Sequence, residues 1–337
     1  MVTEPAEKTQ DRYEKNRLRS TTVYRLMLVP GVSIGKSARA LLRKEGGIGR
    51  VHSVFDRTFY ILTGNSRLMA VVGCQQYNAP INLRIGFPEE VRMKDQVRRG
   101  MLVRRSGDKL LIGYNLSVCL RKLKVWRPRE LSLKVLDARR LLRIVEKVEH
   151  LALRHIPAEG LGELIAYRRY LVSNNLDEIP SNVSIISRAA GRIAGLIQAV
   201  RKHDAFGIKK NAIDLIGLGP GLTPSGDDFL VGFFGSLIFS MKSYRHCPSF
   251  ISRLLRELVF EASSYTTRVS EEFLRHAADG DTAEPINDLL TAMLQNETQQ
   301  LDLLTSRVIH IGETSGSDLM LGILSGVAEF LTSHAEE

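Results

Sequence analysis

The densest concentration of chemistry-bearing residues in the chain is the run Leu215-Ile216-Gly217-Leu218-Gly219-Pro220-Gly221-Leu222-Thr223-Pro224-Ser225-Gly226-Asp227-Asp228. Gly217, Gly219 and Gly221 stand at alternate positions, which opens backbone angles closed to other residues and lets a ligand approach the main chain. The run then enters an apolar segment with helical character. Unpaired amides in a first helical turn, at the positive end of the helix dipole, suit a phosphate or a carboxylate. No Lys follows the glycines, which excludes a P-loop, and the spacing is not that of a dinucleotide fingerprint. A tight structural turn would by itself account for one or two of the glycines.

Ninety residues later the ending recurs: Ser225-Gly226-Asp227-Asp228-Phe229-Leu230-Val231-Gly232 aligns with Ser315-Gly316-Ser317-Asp318-Leu319-Met320-Leu321-Gly322. Either copy alone reads as a capping box, with the Ser on an amide of the first turn and the carboxylate reaching back. Gly232 with Gly235, and Gly322 with Gly326, give smooth faces on which another helix can pack closely. Capping explains neither the pair of copies nor the additional Asp227. If the helices meet glycine face to glycine face, both starts point into one cleft. The expected site then has Asp227, Asp228 and Asp318 as catalytic groups. Gly217, Gly219, Gly221, Thr223, Ser225, Gly226, Ser315 and Gly316 would bind phosphate or substrate. Asp227 and Asp228 could also hold Mg2+ through water. Thr267 and Ser270, at another helix start, add hydroxyls or serve as a simple cap, with Arg268 as a countercharge. His310, between Ile309 and Ile311, reads as a packed residue.

Two kinds of element must position these groups. From about Val51 to Val125, short β-branched segments alternate with turn residues, and 50–55, 58–63, 68–72, 81–85, 101–105 and 109–112 read as strands. After Trp126-Arg127-Pro128 the apolar period becomes helical, starting with Leu131, Val135, Leu141, Leu142 and Val145. Helices are predicted at 137–155, 160–173, 183–203, 206–216, 225–242, 248–262, 268–277, 285–296, 298–310 and 315–333. The fold class is α+β: a tail over 1–20, a β-rich barrel or sandwich over 21–128, and an all-α domain over 129–337.

The 337 residues suffice for two cores, and no apolar run approaches the length that spans a bilayer. The polar first twenty residues carry no secretory pattern, and Cys74, Cys119 and Cys247 form no CxxC pair, so a reducing cytoplasm is expected. The net charge of +10 is divided unevenly: residues 1–150 hold 31 Lys/Arg against 14 Asp/Glu, and the rest 16 against 23. Halves of opposite sign should attract each other. With a single Trp and no recognisable nucleic-acid motif, nucleic acid is not an expected partner.

The run 215–228, followed by Thr267-x-x-Ser270 and Ser315-Gly316-x-Asp318, resembles the family containing AllH, a subunit of bacterial oxamate carbamoyltransferase. Weaker similarity extends through Gly49-Arg50-Val51-His52-Ser53-Val54-Phe55, Ala79-Pro80-Ile81-Asn82-Leu83 and Trp126-Arg127-Pro128, so it covers roughly 45–330. The resemblance implies conversion of oxalurate and phosphate to oxamate and carbamoyl phosphate in allantoin breakdown, together with AllF-like and AllG-like subunits. Glu313 departs from it, because a histidine is expected near that position. Two other readings stay open. One is a metal-dependent helical hydrolase of the ADP-ribosylglycohydrolase type, by loose analogy with its acidic helix starts. The other is a non-catalytic anion-binding scaffold, and homo-oligomers are allowed under every reading.

Overall fold

A computed structural model describes residues 26–43, 46–129, 136–157, 159–180 and 184–334. The tail expected over 1–20, and Leu131 and Val135 of the amphipathic stretch, lie outside them. The N-terminal part is a closed barrel. Its strands are β1 (Met27–Ile34), β2 (Gly46–Val54), β3 (Thr58–Thr63), β4 (Leu68–Gly73), β5 (Asn82–Ile85), β6 (Leu102–Ser106), β7 (Lys109–Ile112) and β8 (Leu116–Cys119), with a short β9 (Lys124–Val125) beside β1. They are ordered β5-β4-β3-β2-β6-β7-β8-β1, and β1 returns to β5 through Gly31↔Ile85, Ser33↔Arg84 and Ile34↔Leu83. Closure removes the free edges that a sandwich would leave. Two short helices, α1 (Lys36–Leu41) and α2 (Met93–Gln96), interrupt the strands.

Strand β3 alternates as its sequence requires, with Phe59, Ile61 and Thr63 buried. Strand β4 is buried at every position. Its Met69 and Val71 join the barrel core, whereas Ala70 and Val72 form a small second cluster with Ile81, Tyr60 and Phe273. The outer face of β4 is thus covered by the helical domain.

That domain contains α3 (Ala138–Ala152), α4 (Arg168–Ser173), α5 (Ser184–Arg201), α6 (Ala205–Leu215), α7 (Ser225–Ser243), α8 (Ser249–Glu261), α9 (Arg268–Ala277), α10 (Glu284–Gln295), α11 (Leu301–Ile309) and α12 (Ser315–His334). The helix expected over 160–173 is instead a 3-10 turn, Gly162–Tyr167, followed by α4. Helix α7 is buried from Ser225 to Ser240, and α12 is its main neighbour. A Cβ on Gly232 would strike the carbonyl of Leu319, one on Gly322 that of Phe229, and one on Gly326 that of Phe233. The two helices therefore meet backbone to backbone along their glycines, which brings their first turns side by side.

The charge imbalance appears at the domain contact. Arg67 Nη2 lies 2.5 Å from Glu272 Oε1, and Arg129 Nη2 lies 2.5 Å from Glu297 Oε1. Asn78 donates its backbone N–H (2.9 Å) and its side-chain amide (3.0 Å) to Glu284 Oε2.

Candidate functional site

Gly217, Gly219 and Gly221 all have positive φ, at 75°, 113° and 96°. A side chain at Gly217 would meet the carbonyl of Tyr265, and one at Gly219 the amide of Ser225, whereas Gly221 faces open space. The loop is clamped from behind. Asp227 Oδ1 accepts the Gly217 amide at 2.9 Å and Oδ2 accepts the Thr266 hydroxyl. Thr267 donates to the Leu222 carbonyl at 2.5 Å while accepting the Ser270 amide at 3.1 Å, and the Ser270 hydroxyl lies 3.4 Å from the same carbonyl. Burial raises the Asp227 pKa against the lowering effect of Thr266, Gly217 and Ser270. Asp227, Thr267 and Ser270 thus sit behind the loop. Arg268 turns to Glu271, at 2.7 Å.

The two helix starts converge: Thr223 Oγ1 and Ser315 Oγ are 2.9 Å apart. None of the backbone amides from Gly219 to Ser225, or from Gly312 to Ser315, donates to a protein acceptor among the described residues. Gly226 and Gly316, expected to offer amides to a ligand, give them instead to the carbonyls of Leu218 (2.9 Å) and Ile311 (2.8 Å). Each closes its own turn, so the free donors lie one residue or more upstream. A cavity of about 580 Å³ opens there, lined by Gly160, Pro220, Gly221, Thr223, Ser225, Thr314 and Ser315.

The aspartates cross between the helices. Asp228 of α7 is stabilised in its charged form by the hydroxyls of Ser315 and Thr223, and Asp318 of α12 by that of Ser225. Asp318 Oδ1 also accepts the Leu161 amide at 2.6 Å. The capping-box alternative therefore fails for α7, whose N-cap is Pro224 and which makes no side-chain cap bond. Both carboxyls are pushed up chiefly by burial. Asp318 reaches about 6, and Asp228, which also feels the charge of Asp318, moves well above its ordinary value.

Asp228, Thr223 and Ser315 also border a second cavity, of about 290 Å³, between the barrel and the helices. Its barrel wall carries Thr58, Tyr60, Ala70, Val72 and Asn82, and its helical wall Phe273, His276, Thr282 and Leu319. Burial and the nearby Asp228 push the Tyr60 phenol up to about 12. Sequence reasoning assigned the barrel no part in the site. The available signals were the 79–83 segment singled out above and the outward register of Tyr60 beside Ala70.

His310 is exposed rather than packed, with its Nδ1 2.8 Å from the Ser306 carbonyl. Glu313 is exposed and lines the 580 Å³ cavity. Among the described residues, no three His, Cys, Asp or Glu side chains come together in a way that could hold a metal ion. No described helix is long and apolar enough to cross a membrane.

Comparison with known families gives two matches. Residues 30–125 match the AllH family N-terminal domain, and residues 215–327 match the family described as oxamate carbamoyltransferase subunit AllH. The first match is the barrel, and the second runs from the glycine loop to α12. No solved structure matches the chain. With barrel and paired helices both matched over most of its length, the chain belongs to the AllH family.

Proposed function

We propose that the chain supplies the anion-binding and carbamoyl-positioning part of an oxamate carbamoyltransferase, working in the cytoplasm with AllF-like and AllG-like subunits. The observation that carries this reading is the convergence of two glycine-containing turns, Gly219–Ser225 and Gly312–Ser315, with their amides free beside one cavity. Amides fixed in place before the ligand arrives stabilise an anion without reorganising, which is what transfer between two anions requires. In the direction from oxalurate, a phosphate oxygen bonds to the ureido carbon, the bond from that carbon to the oxamate nitrogen breaks, and the nitrogen takes up a proton. The loop amides hold phosphate, and Thr223 and Ser225 orient it. Asp228 and Asp318, buried where the two helix starts meet, are the candidates to face the carbamoyl NH2 and the leaving nitrogen. Asp227 serves as the brace of the loop. The metal-dependent hydrolase reading has less support, because both Asp227 oxygens are engaged by Gly217 and Thr266.

Thermal unfolding with phosphate or carbamoyl phosphate tests this. The ligand is expected to raise the Tm of the wild type and not that of Gly221→Val, whose side chain would enter the open space beside the loop. Equal shifts in both would contradict the assignment. Turnover is to be measured on the assembly with its companion subunits.

A further inference from the structure

The cavity between the barrel and the helices holds more polar groups than the anion site uses. Asp228 Oδ2, His276 Nδ1 and the Thr282 hydroxyl are buried without a hydrogen-bond partner, and all three residues line this cavity. Their residues are only 3%, 7% and 4% exposed. Buried polar atoms are nearly always paired in folded proteins, so three orphans around one cavity mark a place where a ligand completes the bonding. The rest of the wall is mostly apolar, with Val72, Phe273 and Leu319, interrupted by Thr58, Asn78, Asn82 and Asp281. No Lys or Arg lines this cavity, whereas Asp228 and Asp281 both do, so a second anion would find no compensating side chain there. An uncharged N–H donor meets the Asp228 acceptor without that penalty.

We propose that this interdomain cavity receives the neutral carboxamide or ureido end of the substrate, with Asp228 Oδ2 accepting from its NH2 group, Thr282 and His276 completing the polar set, and the barrel closing the compartment through Tyr60 and Ala70. Thr223 and Ser315 border both cavities, so one ligand can keep its anionic end on the loop amides and its amide end between the domains. The inference deepens the carbamoyltransferase reading and rests on it only for the anionic end. The barrel then becomes a substrate-recognition element.

Oxamate and oxalate differ by NH2 against O−, and titration calorimetry with each separates the amide compartment from simple anion binding. The wild type should bind oxamate about tenfold more tightly than oxalate or better, because a buried acceptor left unpaired discriminates strongly. Asp228→Asn, which can donate as well as accept, should erase that preference. Ala70→Leu, which fills the cavity from β4, should abolish oxamate binding while leaving the phosphate-induced Tm shift in place. It also serves as the independent test should Asp228→Asn fold poorly by circular dichroism. Equal wild-type affinities for oxamate and oxalate, no oxamate binding at all, or oxamate binding unchanged in Ala70→Leu would each overturn the proposal. If the wild type discriminates oxamate from oxalate but does not respond to phosphate, the amide compartment stands and the phosphate cradle falls.

Discussion

Thr223 and Ser315, 92 residues apart in the chain, lie hydroxyl to hydroxyl at 2.9 Å. That contact follows from the glycines further along the same helices. Gly232, Gly322 and Gly326 let α7 and α12 approach until side-chain-bearing residues would collide with the opposite backbone, and this fixes the relative height of the two first turns. Site geometry and core packing are therefore one constraint.

Glycines of the packing face and of the loop should respond differently to substitution. Gly322→Ala places a methyl group against the Phe229 carbonyl and should destabilise the protein by about 3 kcal/mol, as overpacking of a helix contact does. Gly221→Ala meets no neighbour and should cost only the left-handed backbone, about 1–2 kcal/mol. Urea unfolding of both variants measures this, and equal losses would contradict the packing account.

Asp318 should make stability depend on pH in a defined window. Its carboxyl titrates near 6 in the folded protein, against 3.8 for the ordinary group. The folded state holds the proton more tightly, so its stabilising contribution is complete below about pH 4 and is lost as pH rises through about 6, by roughly 3 kcal/mol. Asp318→Asn keeps an oxygen for the Leu161 amide and should flatten the stability profile over that interval. A difference between wild type and variant that does not vary with pH would exclude this origin.

The contact between Arg67 and Glu272 should hold barrel and helices together. Burial alone would raise the Glu272 carboxyl, yet His276 and Arg67 bring it down to about 2. Arg67→Met leaves that carboxylate buried beside an apolar chain and should cost about 3 kcal/mol, while adding Glu272→Gln should recover much of the loss. Denaturation of the single and double variants measures the coupling, and additive losses would mean that the pair does not act as one.

Glu313 places a negative charge on the wall of the 580 Å³ cavity proposed to take the anion. Glu313→His should tighten phosphate binding about two- to fivefold at low ionic strength, with the gain shrinking as salt is added. Calorimetric titration at two salt concentrations measures it, and unchanged affinity would place the anion elsewhere.

Much of this architecture is legible in the residues. The glycine alternation 217, 219 and 221 announces the left-handed turns, and the repeated Ser-Gly-x-Asp endings announce the paired helices. Strand β1 is not among the strands predicted from the sequence, and it is its pairing with β5 and β8 that makes it one. Strand β8, Leu116–Cys119, is too short to carry a period of its own. The amides of Gly226 and Gly316 looked free because the carbonyls that take them belong to the turn before each helix. Tyr60 could not be placed because its role depends on which barrel face the helices cover, a tertiary fact that no local pattern encodes.

In the proposed mechanism both turns grip one anion. The most direct measurement is the anomalous-scattering position of selenate, a phosphate-like oxyanion, in crystals of the full chain. A single peak within hydrogen-bonding distance of amides from both Gly219–Ser225 and Gly312–Ser315 is predicted. A peak held by one turn alone, or on a different surface, would contradict the account.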